Sequence, residues 1–207
     1  MSGVVTLSRE DAPEIIDVFC ESFRDYPVMR YVLGSGGISE GRLRTLVGLF
    51  VAARVLRGEP LLGIRGPEGG LVAAATVTLP GNRPAPGEFV RLRDASWAEL
   101  GAAERARYEA YSAAAGRFTV AEPHHHLNML GVRPAHAGQG LARRLIEAVH
   151  GLAAGDPASA GVSLSTETEP NVALYRHLGY RILGRAEVAD GLTTWSCFRP
   201  VPPRGIV

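Results

Sequence analysis

The sequence predicts an α+β (α/β three-layer) protein, with a central mixed, mostly antiparallel sheet of about six to seven strands flanked by helices. Three observations predict it. Short apolar or alternating runs recur along the 207 residues, interleaved with segments at helical spacing. Two pairs of neighbouring runs are joined by turn residues, as antiparallel hairpins require. In the second half, a strand enters a glycine loop that opens a helix.

Residues 4–7 read as the first strand. Ser8 caps the helix after it, Asp11 completes a capping-box-like start, and Pro13 lies in the first turn. That helix runs to about Phe23 and buries Ile15, Ile16, Val18, Phe19 and Phe23. Pro27 follows a break, and residues 29–33 form a short helix. Gly34, Gly36 and Gly37 then make a loop. Residues 42–56 are a third helix, with Leu43, Leu46, Val47, Phe50 and Val51 at helical spacing. Residues 60–65 and 71–79 are antiparallel strands around Gly66-Pro67-Glu68-Gly69-Gly70. After a Pro/Gly linker, residues 89–116 read as one helix carrying Trp97, Leu100, Tyr108 and Tyr111.

Residues 124–132 are a strand, and residues 133–140 a glycine-containing loop. Residues 141–154 form an amphipathic helix with a buried stripe of Leu141, Leu145, Ile146, Val149 and Leu152. Residues 162–166 are a strand, and residues 171–178 a short helix that Gly179 ends. Residues 180–188 and 192–198 close the chain as a hairpin around Asp190-Gly191.

Hydrophobic residues make up 46% and charged residues 21%, the balance of an ordinary globular protein. A net charge of +1 gives no electrostatic case for nucleic acid or a membrane surface. An anionic ligand must therefore be held by a local arrangement. Cys20 and Cys197 form neither a metal spacing nor a disulfide framework. The N-terminus has no basic-then-apolar leader, and no apolar run approaches the ~20 residues of a membrane span. These features predict a cytoplasmic protein with reduced thiols.

The informative stretch is His126-Leu-Asn-Met-Leu-Gly131-Val132 followed by Arg133-Pro-Ala-His-Ala-Gly138-Gln-Gly140-Leu-Ala-Arg143-Arg144. Unpaired N–H groups in a helix's first turn attract a phosphate, and the helix dipole favours negative charge. Gly138 and Gly140 let backbone approach closely, and Arg143 and Arg144 add charge-assisted donors. Alone this unit is a turn or a generic anion site. There is no GxxxxGK[ST], and the G-x-G-x-x-G spacing fails at Arg143.

Specificity comes from Asn171-Val-Ala-Leu-Tyr175-Arg-His-Leu-Gly179-Tyr180 after the next strand. Together the two elements resemble the GNAT acetyltransferase superfamily. The family's loop pattern [R/Q]-x-x-G-x-[G/A] is met by Ala137-Gly138-Gln139-Gly140-Leu141-Ala142, with Ala137 standing where the family has Arg or Gln. Its later N-x-x-x-[YF]-x-x-x-G-[FY] is met in full by Asn171, Tyr175, Gly179 and Tyr180. A narrower likeness, to puromycin N-acetyltransferases and their relatives, rests on several pieces. They are Phe23-Arg-Asp-Tyr-Pro27, Glu122-Pro123, Gly131-Val132-x-Pro134-x-His136 and Thr194-Trp195-Ser196-Cys197. Ser165 stands where those relatives tend to carry a glutamate, with Glu167 two residues on.

The resemblance implies one domain over residues 1–207, with acceptor-side helices in 1–120 and an acetyl-CoA-binding core in 121–207. It implies direct attack of an amine on the acetyl-CoA thioester, and a bulge that splays the sheet at its central strands. Backbone amides of Leu130, Gly131 and Val132 would hold the pantetheine and the acetyl carbonyl. Ala137, Gly138, Gln139, Gly140, Leu141, Ala142 and Arg143 would cradle the pyrophosphate. Asn171 would bind the pantetheine or cap its helix. Tyr175 would protonate the departing thiolate, since a phenol near pKa 10 stays protonated at neutral pH.

For the base, alternate residues of a strand share a face, so His126, Asn128 and Leu130 are expected to point together. Serotonin N-acetyltransferases, relatives in the same superfamily, carry histidines at the positions of His126 and Asn128. Only the first is kept here, so His126 is the candidate base. Tyr26, Asn128 and Trp97 are candidate acceptor-site residues, with Tyr108 and Tyr111 beside them. His124, His125 and His126 alternate in direction, so no metal is expected. The reading is an acetyl-CoA-dependent N-acetyltransferase acting on a small-molecule amine, as a monomer or homodimer. Its alternatives are a protein or peptide N-acetyltransferase and a non-catalytic acyl-CoA-binding module.

Overall fold

The computed structural model describes residues 3–34, 38–81, 83–189 and 191–202. Gly36, Gly37 and Asp190, read above as turn residues, lie outside them. Strand β1 (Val5–Thr6) leads into a capping box at Ser8, where the Asp11 carboxylate accepts the Ser8 N–H at 2.7 Å. Helices α1 (Ala12–Phe23), α2 (Pro27–Leu33) and α3 (Glu40–Val55) follow. Then come strands β2 (Leu61–Arg65) and β3 (Leu71–Thr78), and helices α4 (Gly87–Leu100) and α5 (Ala102–Ala115). The second half holds β4 (His125–Val132), α6 (Leu141–Gly155), β5 (Gly161–Thr166), α7 (Glu169–His177), β6 (Arg181–Glu187) and β7 (Thr193–Pro200).

Three local expectations are corrected. The single helix over 89–116 is two, because Gly101 adopts φ 114° and ends α4 by donating its N–H to the Trp97 carbonyl at 2.9 Å. The buried stripe of α6 ends on Ala153, one i+4 step from Val149, while Leu152 is 37% exposed. Asn171 does not cap its helix. Pro170 sits in the first turn and the helix starts at Glu169, with Thr168 at the N-cap.

The sheet has seven strands in the order β1-β2-β3-β4-β5-β7-β6, with only β4 and β5 parallel. Helices α1–α4 close one face with Phe19, Leu43, Leu46 and Trp97 packed on Ala74 and Met129. Helix α6 closes the other, setting Leu141, Leu145, Ile146 and Val149 against Ala73, Ala75, Leu127 and Leu164. Small residues in β3 let helices approach from both sides, and β3 is buried over Leu71–Val77, as a strand covered on both faces should be.

One irregularity positions everything that follows. Thr76 pairs with Met129 and Val77 with Leu127, so Asn128 is the extra residue of a β-bulge in β4. The bulge reverses the alternation of the strand. Leu127 packs on the α6 face, whereas Met129, two residues later, packs on the α1 face. The expectation that His126, Asn128 and Leu130 share a face is therefore corrected. His126 and Asn128 stay on the α1–α5 side, and Leu130 and Val132 pack toward α6.

Candidate active site

Parallel β4 and β5 pair only at His125↔Val162 and His126↔Ser163. Beyond them the two strands part. The β3 side of β4 stays paired through Leu130↔Ala75, Gly131↔Ala74 and Val132↔Ala73, so the gap frees only the other edge. A cavity of about 810 Å³ occupies the gap and the space beneath α3–α5. His126, Asn128, Leu130, Gly131, Val132, Asn171 and Tyr175 all line it. So do Tyr26 and Trp97. Gly131 is needed for packing as well, because a Cβ there would meet Ser22 Oγ at 2.7 Å and Phe19 Cδ1 at 2.9 Å.

On the α1–α5 side the wall is aromatic. Trp97 and Phe50 each lie against the Tyr108 ring, at centroid distances of 5.2 and 5.3 Å. Asn128 is tied down: its Oδ1 accepts from Arg54 at 3.1 Å, and its Nδ2 donates to Thr78 Oγ1 at 2.9 Å and to the His126 carbonyl at 3.0 Å. Arg54 also pairs with buried Glu59 and contacts Thr78. His126 sets its Nδ1 2.8 Å from Ser163 Oγ. Burial, aided by His124 and Arg54, pushes its imidazole down to about 4. It is neutral at pH 7 and a weaker base than the sequence led us to expect. His125 points the other way, buried against Ser159, and among the described residues no His/Cys/Asp/Glu group is arranged to hold a metal.

Tyr26 ties the end of β5 to α7. Its hydroxyl accepts the Glu167 N–H at 3.2 Å and Asn171 Nδ2 at 3.4 Å, and lies 3.0 Å from Thr166 Oγ1. Burial pushes this phenol up to about 12. Tyr175 packs its ring edge-on against Tyr180 at 5.5 Å, and Tyr180 is anchored by His150 Nε2 at 2.9 Å. Burial raises the Tyr175 phenol well above its ordinary value, so it stays protonated. Its hydroxyl has no hydrogen-bond partner among the described residues. Cys197 is fully buried and its thiol is pushed up to about 11, in keeping with a packing role.

Past Val132 the chain enters the glycine loop. Gly138 and Gly140 have φ 76° and 73°, the left-handed region, and no atom stands within 4 Å of where their Cβ atoms would be. Gly140 is the N-cap of α6 and offers no side chain, so no side-chain cap takes up the first-turn N–H groups of Leu141, Ala142 and Arg143. Ala137 and Gln139 flank these glycines. None of these loop residues lines the cavity; the loop stands beyond the Val132 end of β4.

A family profile described as Acetyltransferase (GNAT) domain matches residues 98–182, the span holding α5, β4, the glycine loop, α6, β5 and α7. The whole chain superposes on a histone acetyltransferase HPA2 and related acetyltransferase from Corynebacterium glutamicum, with TM-score 0.71, 22% identity and 100% of both chains covered. The chain has the GNAT fold. An arylalkylamine N-acetyltransferase 2 from Aedes aegypti matches at TM-score 0.62 and 17% identity, over 96% of this chain and 98% of that one. A phosphinothricin acetyltransferase from Sinorhizobium meliloti in complex with AcCoA matches at 0.57 and 14%, over 95% and 86%. These varied GNAT neighbours do not single out the puromycin N-acetyltransferases.

Within the GNAT frame, two features suit a pantetheine phosphate ester: the freed β4 edge and the uncapped, Cβ-free start of α6. Sequence reasoning noted Glu167 only as a neighbour of Ser165. The structure buries its carboxyl to 8% exposure in the cavity wall, where Oε1 accepts from Tyr111 Oη and from Thr194 Oγ1, each at 2.9 Å. Its partners lie 56 and 27 residues away, so no local motif announces it.

Proposed function

We propose that the protein is an acetyl-CoA-dependent N-acetyltransferase that acts on a small-molecule amine by direct transfer in a ternary complex. One observation carries the reading: a single cavity joins Asn171 and Tyr175, through the β4–β5 gap, to the aromatic wall under α3–α5. A thioester entering from the α6–α7 side and an amine entering from the other would meet at the gap. The aromatic wall of Phe50, Trp97 and Tyr108, roofed by helices, favours a compact acceptor over a protein tail.

Acetyl-CoA supplies an activated acyl carbon with a thiolate leaving group. The open first turn of α6, with Gly138, Gln139, Gly140 and Arg143, binds its pyrophosphate. Leu130, Gly131 and Val132 offer backbone donors at the freed edge, and one N–H aimed at a developing oxyanion contributes about 3 kcal/mol. Asn171 fixes Tyr26 and with it the floor of the gap. Tyr175 presents an unshared hydroxyl proton to the leaving sulfur. His126 and Asn128, held by Ser163, Thr78 and Arg54, shape the acceptor side.

A free-thiol assay over a panel of small amines and peptides, with product masses, tests the reading. Release coupled to acetylation of small amines is expected. Acetylation of peptides alone would favour a protein acetyltransferase. Tight acetyl-CoA binding with no release from any amine would leave only a binding module.

A further inference from the structure

Glu167 is the one strongly buried carboxylate in the cavity wall whose charge the described residues leave unanswered. The groups that face it are the phenols of Tyr26, Tyr111 and Tyr175 and the thiol of Cys197. No arginine, lysine or histidine forms an ion pair with it among the described residues. Glu59, the other buried acid among the described residues, has Arg54 at 3.0 Å. A buried carboxylate without a cation is costly to keep ionised, and a cationic ligand offsets that cost.

Its geometry leaves room for such a ligand. The hydrogen bonds from Tyr111 and Thr194 both fall on Oε1, and the Tyr26 phenol also faces the carboxyl, so the second oxygen keeps part of its acceptor capacity. The side chain continues the run Ser163, Ser165, Glu167, every second residue along and just past β5. Ser165 and Glu167 both line the main cavity. Glu167 also borders a second cavity of about 740 Å³ lined by Asp25, Arg30, Tyr31, Arg107 and Trp195, with neither arginine in an ion pair with it. That cavity offers a way for a proton to leave.

We propose that Glu167 binds the acceptor's ammonium group and takes its proton, resting on the acetyl-transfer reading above. The ammonium N–H bond breaks and its proton passes to the Glu167 carboxylate. The neutral amine then forms the N–C bond to the acetyl carbon, and the C–S bond breaks. Tyr175 gives its proton to the departing thiolate and is restored by the extra proton that the amide nitrogen sheds through solvent. Glu167 returns its own proton to solvent, so that one proton is released in all. Charge and protons balance without any further reactant. Desolvation raises the Glu167 pKa above that of an ordinary glutamate, whereas burial pushes His126 down to about 4.

The test compares Glu167→Gln, Glu167→Asp and His126→Ala with the wild type, using the best amine from the panel. kcat/KM is measured from pH 5 to 9, and melting temperature and acetyl-CoA affinity are measured alongside. We expect Glu167→Gln to lose about a hundredfold in kcat/KM and the acidic limb of the profile, while binding acetyl-CoA normally. Glu167→Asp should recover part of the rate and the limb, and His126→Ala should keep the limb where the wild type has it. A neutral isostere of the amine, hydroxyl for ammonium, should compete far more weakly against the wild type than against Glu167→Gln. A folded Glu167→Gln that keeps the wild-type limb, or a limb that moves in His126→Ala instead, overturns the proposal. If the wild type releases no thiol with any amine, the acetyl-transfer reading itself fails. Release by the wild type with an unaltered Glu167→Gln sinks this inference alone.

Discussion

At Tyr175 the ring is pinned by Tyr180 while no described residue shares the hydroxyl, the arrangement a proton donor needs. We expect Tyr175→Phe to lower turnover at least about tenfold with nearly unchanged acetyl-CoA affinity. Steady-state kinetics beside a binding isotherm check this, and equal turnover would remove Tyr175 from the role. His126 makes a separate prediction. Its folded pKa of about 4 lies under its ordinary 6.5, so protonation opposes folding. The stability it contributes is present above about pH 6.5 and lost as pH falls toward 4. His150, also pushed down to about 4, acts in the same window. Melting temperature should fall across that interval, and less steeply in His126→Asn. A variant that tracks the wild type would show that the imidazole is not desolvated as described.

The bulge at Asn128 governs the element scale. It moves Met129 onto the α1 face and releases Leu130 and Val132 toward α6, so one strand serves both sides of the gap. Gly131 lets α1 approach there. Gly131→Ala should destabilise the protein by about 1–3 kcal/mol through overpacking against Ser22 and Phe19, read by chemical denaturation. An unchanged midpoint would mean that α1 has room to shift. The contrast with the glycine loop shows what a sequence can carry. Gly138 and Gly140 were legible because left-handed backbone at an uncapped helix start selects glycine. Asn171, Tyr175 and Gly179 were legible because they share one short helix and its end. The resemblance implied a bulge in this strand, but its place at Asn128 was not legible, since the alternation from His126 to Leu130 reads as unbroken. Gly101 was misread because the flanking residues keep helical spacing on both sides of it.

On the scale of the molecule, α3–α5 form a lid of helices over one face of a seven-stranded sheet, and α6 packs on the other. The strand and helix order was readable from periodicity. Tyr26, Trp97, Tyr108 and Tyr111 were readable as candidate lining residues, and all four line the cavity. Phe50 and Glu167 were not, since Phe50 reads as the core face of its helix and the partners of Glu167 lie far away in sequence. No described helix is long and apolar enough to cross a membrane. The central claim is that an acetyl group crosses the β4–β5 gap directly to an amine. Incubation with radiolabelled acetyl-CoA, with and without a panel of small amines, tests it most directly. The account predicts label on the amine in a single step, dependent on both partners, and none covalently on the protein. Label retained on the protein, or none transferred to any amine, would contradict it.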